Sequence, residues 1–93
     1  MYTEFDAAKN QSNTRGRALS FESVAEFDFS TAAIVRDVRR DYPEERLVAV
    51  GFLGKRQHVL CFKPLPTGIR VISFRKANTR EVKHYEHART ADR

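Results

Sequence analysis

The run Ile69-Arg70-Val71-Ile72-Ser73-Phe74-Arg75-Lys76-Ala77 places three cations and a hydroxyl among β-branched and aromatic residues. An unpaired arginine is costly inside a small sheet, so these side chains should be displayed on a face. The planar guanidinium fork matches phosphate oxygens two at a time, which makes the strand a candidate phosphate-binding surface. Regular alternation puts Ile69, Val71, Ser73 and Arg75 on one face, and Arg70, Ile72 and Phe74 on the other. Either a bulge near Phe74 re-aims Arg75, or one of the two arginines is structural.

One chemistry within reach of such residues is RNA cleavage without a metal. The ribose 2′-hydroxyl attacks its own neighbouring phosphate. The protein orients that attack, neutralises the growing charge and moves two protons. Arg70, Arg75 and Arg46 are the candidates for the charge task, with Glu45 and Tyr85 as proton handlers. Lys9, Arg17, Lys76, Arg80 and Tyr85 are candidate RNA contacts. The competing role for each arginine is a surface ion pair, such as Arg46 with Glu44 or Asp41. No metal centre is expected. His84 and His87 stand three apart, but no cysteine or carboxylate pair with ligand spacing accompanies them. His58 opens a strand and reads as a hairpin-edge residue more readily than as an acid or base. Glycine-rich phosphate loops and nucleophile elbows are missing from the sequence, and no cofactor is expected.

The charge is uneven. Residues 1–53 hold 7 Lys/Arg and 9 Asp/Glu, whereas residues 54–93 hold 10 and 3. The second half is therefore the part that attracts a polyanion, nucleic acid ahead of the alternative of charge kept for solubility. The 93 residues fit a single domain over 1–93. Cys61 is the single cysteine and lies in the apolar run Val59-Leu60-Cys61-Phe62, so a buried structural thiol is expected. No run approaches the roughly 20 apolar residues of a membrane helix and no signal-peptide core is evident, so the simplest expectation is a cytoplasmic protein with no membrane partner.

The elements that must position these residues follow from pattern and caps. Tyr2 to Phe5 suits a short strand. Asp6 can cap a helix from Ala7 to about Arg15, and Ser20 a second one in which Phe21, Val24, Ala25 and Asp28 follow helical spacing and Phe27 widens the apolar face. Thr31 to Val35 looks extended, and Tyr42-Pro43-Glu44-Glu45 is a turn. Three strands follow, about Arg46–Leu53, Gln57–Lys63 and Gly68–Arg75. Gly54-Lys55-Arg56 and Pro64 to Gly68 make the turns. Asn78 and Glu81 form a capping-box pattern that starts a terminal helix. The resulting fold class is α+β: a mostly antiparallel four-stranded sheet, two N-terminal helices packed on one face, a peripheral C-terminal helix, and the other face free to bind.

The ordered set of these residues resembles the BrnT toxins of bacterial type II toxin–antitoxin pairs. It runs from Phe5-Asp6-Ala7-Ala8-Lys9-Asn10 through Asn13 and Ser20-Phe21-Glu22. Asp37, Arg39, Tyr42, Glu44-Glu45-Arg46 and Val50-Gly51 continue it, and Arg70 to Ala77, Arg80-Glu81 and Tyr85-Glu86 complete it. The resemblance implies a RelE-like fold and a ribonuclease that blocks translation. It also implies neutralisation by a cognate DNA-binding antitoxin of the BrnA kind, in a 2:2 hetero-oligomer that reaches DNA only through the antitoxin. One departure matters. Where the family usually reads Lys-His-Gly, this chain has Gly16-Arg17-Ala18, so a permanent cation replaces an imidazole. The alternative reading is therefore a catalytically weak or inactive module that binds RNA or an antitoxin.

Overall fold

The computed structural model describes residues 2–91. Its elements are β1 (Tyr2–Phe5), α1 (Ala7–Arg17), a 3-10 helix (Phe21–Glu26), β2 (Phe27–Arg36), β3 (Leu47–Leu53), β4 (Arg56–Leu65), β5 (Gly68–Lys76) and α2 (Thr79–Ala91). The α+β class is as expected. The strands form one sheet in the order β1-β5-β4-β3-β2. Strands β2 to β5 make the antiparallel meander that short connections require, and Gly54 takes a φ of 61° in the β3–β4 turn.

Two details correct the sequence reading. The sheet is five-stranded and mixed, because β1 joins its edge parallel to β5, with Tyr2 opposite Gly68 and Phe5 opposite Val71. No hairpin links β1 to β5, so a tight turn does not dictate their relative direction. Gly68 is needed there, since a Cβ would overlap the Tyr2 carbonyl. The second N-terminal helix is a six-residue 3-10 helix, not an α-helix. Ser20 caps it as expected, its Oγ accepting from the Glu22 amide at 3.1 Å. Phe21 and Val24, three apart, point the same way in a helix of three residues per turn, and both are buried. Phe27 must then leave to pair with Leu53, which ends the helix.

The core lies between the sheet's inner face and these N-terminal elements. Ile69, Val71 and Phe74 of β5 meet Leu60 and Phe62 of β4, Ala49 of β3, and Leu19, Phe21 and Val24 from above. Helix α1 buries no side chain completely but is tied down by two amides. Asn10 Oδ1 accepts from the Phe21 amide at 2.8 Å, and Asn13 Nδ2 donates to the carbonyls of Leu19 and Phe74, each at 2.9 Å. Asn13 thus meets a β5 carbonyl beyond the stretch that β1 pairs.

The face left free in the sequence reading is partly covered. Cross-strand partners share a face, so Ser73, Cys61, Val48 and Val35 lie on the outer side, as do Arg75, Val59, Val50 and Ala33. Helix α2 lies over this side. Its expected capping box is present: the Glu81 amide donates to Asn78 Oδ1 at 2.8 Å, and the Asn78 amide donates to Glu81 Oε1 at 2.9 Å. One turn later Tyr85 is buried, edge-on to Phe52 with centroids 6.1 Å apart, and its hydroxyl donates to the Thr31 carbonyl. The helix is therefore anchored at its start rather than merely peripheral. No helix among the described residues is long and apolar enough to cross a membrane.

Candidate functional site

A bulge decides where the arginines point. Phe62 pairs with Val71 and Cys61 with Ser73, so Ile72 is the extra residue in β5. Simple alternation is overturned, and the bulge sits at Ile72 rather than Phe74. Arg70, Ser73 and Arg75 now share the outer face, while Val71 and Phe74 both reach the core.

Both β5 arginines on this face have a carboxylate partner. Glu4, Arg70 and Lys63 lie side by side across β1, β5 and β4. Lys63 and Arg70 are like charges directly opposite each other, an arrangement that costs stability. Glu4 offsets it with an ion pair to Arg70 at 2.8 Å. Arg75 makes two parallel bonds of 2.7 Å to Glu81. Glu81 therefore caps α2 and clamps it to β5 with the same carboxylate. The Arg75 guanidinium holds the Glu81 carboxyl below its ordinary range, and Glu81 in turn raises Arg75.

Next to Arg75 stands a pair to which the sequence reading assigned no role. Asp37 follows β2, its side chain 1 % exposed, and Arg39 grips both its oxygens at 2.9 and 2.8 Å. These bonds hold the Asp37 carboxyl down to about 2. Cys61 Sγ lies 4.0 Å from Asp37 Oδ2, and burial with that carboxylate pushes the thiol up. The buried structural thiol is as expected. Only the Asp-x-Arg spacing after an apolar strand hinted at the pair. A cleft of about 280 Å³ lined by Asp37, Arg39, Cys61, Ser73, Arg75 and Glu81 joins the two ion pairs.

The remaining candidates divide among four places. Lys9 and Arg17, both exposed on α1, line a groove of about 390 Å³ whose far wall is Ile72 and Ser73 of the bulge. Ser73 thus borders both this groove and the Arg75 cleft. Arg46 and Glu45 line a third cleft, of about 450 Å³, formed by the β2–β3 connection. There the Arg46 guanidinium carbon lies 4.1 Å over the Tyr42 ring, and its Nη2 is 3.5 Å from Glu44. Glu45 lines this cleft and not the one holding Arg75.

Arg80 is exposed on α2 beside His84, at the rim of an apolar groove floored by Val48 and Val50. Lys76 is exposed at the end of β5. Tyr85 is brought to the outer face but buried there, with its hydroxyl engaged. His58 is buried on the inner side against Phe74, and loss of solvent lowers its pKa, so it is neutral at pH 7. No group of three or more metal-ligating side chains occurs among the described residues.

Fold and site together define a small α+β domain with a bulged strand that presents paired guanidinium groups on one sheet face. A family model described as the ribonuclease toxin, BrnT, of type II toxin–antitoxin systems matches residues 5–81. The chain belongs to this family of ribonuclease toxins. The match begins at the last residue of β1, takes in β2 to β5 and ends at Glu81, so Tyr85-Glu86 lie beyond it. Comparison with curated proteins found no match.

Proposed function

We propose that this chain is a single-domain, RelE-like endoribonuclease that cuts RNA without a metal, halts translation in the cytoplasm, and is silenced by a cognate antitoxin. The observation that carries the reading is the Ile72 bulge, which gathers Arg70, Ser73 and Arg75 on one face, with Ser73 and Arg75 lining a cleft together with Arg39. In the reaction the 2′-oxygen forms a bond to phosphorus and the bond from phosphorus to the 5′-oxygen breaks. One proton leaves the 2′-hydroxyl and one reaches the 5′-oxygen. Arg75 and Arg39 stabilise the doubly charged phosphorane by two-point contacts. Each must first exchange a carboxylate, Glu81 or Asp37, for the phosphate. Arg70 with Lys63, and Lys9 with Arg17, hold the flanking phosphates. The antitoxin is a DNA-binding protein of the BrnA kind, in a 2:2 complex that contacts DNA through the antitoxin alone.

A second reading is a binding module with little catalysis. Its support is Arg17 in the family's histidine region, together with carboxylates at Asp37 and Glu81 held ionised and so unable to donate a proton near pH 7. One experiment separates the two. The purified chain is incubated with RNA in chelator, beside an Arg75→Ala variant. The enzyme reading expects cleavage that falls by about 10²-fold or more in the variant, as for loss of one donor to a transition-state oxyanion. Tight binding without cleavage selects the module. Equal cleavage by both proteins removes Arg75 from the site.

A further inference from the structure

The cleft of the β2–β3 connection is built from groups that phosphate chemistry alone does not require. Ten residues, 37–46, join the two strands without regular structure. A connection of this length is held in shape by three contacts. The Asp37 amide donates to the Arg46 carbonyl at 2.8 Å, Asp37 grips Arg39, and Arg46 covers Tyr42 at 4.1 Å. The cavity inside is about 450 Å³, room for a nucleobase and its sugar. Its wall combines an aromatic–guanidinium stack, further exposed arginines at 36 and 40, and the exposed carboxylates Asp41 and Glu45. Neither carboxylate takes part in an ion pair found among the described residues. The Arg46 Nε is buried and lacks an acceptor among the described residues. Such an unmet donor is unusual in a folded protein.

The cleft also has the right address. Arg36, Asp37 and Val38 line both this cavity and the one containing Arg75 and Arg39. A nucleotide whose phosphate sits at Arg75 and Arg39 can therefore place an adjoining base in the 37–46 cleft.

The geometry points to a base-reading pocket for guanine, which rests on the ribonuclease reading above and adds its selectivity. Single-stranded RNA is read by bases stacked on aromatic or guanidinium planes and hydrogen-bonded along their edges. Guanine alone offers two adjacent donors, N1–H and the N2 amine, to one carboxylate, and two adjacent acceptors, O6 and N7, to one guanidinium. Glu45 takes the donor edge and Arg40 the acceptor edge. The Arg46–Tyr42 stack forms the shelf. Adenine turns its N1 lone pair toward the carboxylate and is repelled. Cytosine and uracil lack the paired donors.

The test uses the full chain and a single-stranded RNA with one randomised position on either side of a defined cut. Cut sites are counted for the unmodified chain and for Glu45→Gln, and again on the preferred RNA with inosine, which lacks the N2 amine, in place of guanosine. The expected result is a guanine preference at one flanking position. That preference, read as the ratio of guanine to other bases among the cuts made, falls by about tenfold or more in Glu45→Gln and on inosine. Glu45 is exposed, and the inosine arm changes no protein residue, so misfolding does not mimic the result. Cutting without a guanine preference, or a preference that Glu45→Gln and inosine leave intact, overturns the pocket. No cutting of any RNA by the unmodified chain overturns the ribonuclease reading instead.

Discussion

Asp37 illustrates how one buried residue serves both stability and the site. Its carboxylate is shielded from water, while its partner Arg39 is 73 % exposed. A carboxyl whose folded pKa lies below its unfolded value stabilises the fold above the unfolded value. That contribution is lost as pH falls from about 3.8 through about 2. Asp37→Asn should therefore lower stability at pH 7 by about 1–2 kcal/mol, after allowance for solvent screening of Arg39. The gap from the unmodified chain should narrow between pH 4 and pH 2 in urea titrations. A constant gap across that range would mean that packing, not charge, holds the connection. The same substitution frees Arg39, so any change in RNA affinity separates its structural and phosphate roles.

At the scale of elements, β5 and α2 form one unit. Glu81 closes the capping box and clamps Arg75, and Tyr85 fastens the next turn to Thr31 and Phe52. Replacing Tyr85 with Phe keeps the ring and removes the hydroxyl. The expected cost is about 1 kcal/mol, or a fall of roughly 4–8 °C in Tm for a domain of this size. Hydrogen exchange should quicken first in α2 and leave β4 and β5 protected. Uniform loss of protection would show that α2 is part of the global folding unit. Helix α2 was legible from Asn78 and Glu81, which sit three apart and need only local chemistry. Its seat was not legible, because Val82 and Tyr85 give a thin apolar stripe that names no partner. The 3-10 type of the second helix is hidden in the sequence for a related reason. A Phe21–Val24 spacing of three suits either helix type, and only the pull of Phe27 into the sheet stops the turn early.

For the whole molecule, the cations form a path rather than a patch. The α1 groove with Lys9 and Arg17 meets the Arg75 cleft at Ser73, and that cleft meets the β2–β3 cavity at Asp37. A single strand following this path would neutralise about six phosphates, and log K should fall with log salt with a slope near −4. Fluorescence titration with a short RNA from 50 to 300 mM salt measures it. A slope near −1 would confine binding to one site. Arg17→Ala should make the slope shallower by about one contact without abolishing cleavage, since Arg17 lies in the groove away from the Arg75 lining.

What the sequence by itself determined was local: the caps at Asp6, Ser20 and Asn78, the Gly54 turn, the meander and the cationic second half. Each depends on residues a few positions apart. The ordered motifs also pointed to the BrnT family, because spacing along the chain carries that signal. Tertiary structure alone decided which cations meet. The Ile72 bulge arises from matching β5 to β4, so Arg70 and Arg75 share a face that alternation within one strand assigns to opposite sides. The parallel seat of β1 and the Asp37–Arg39 grip beside Arg75 likewise depend on partners far along the chain, where spacing holds no information.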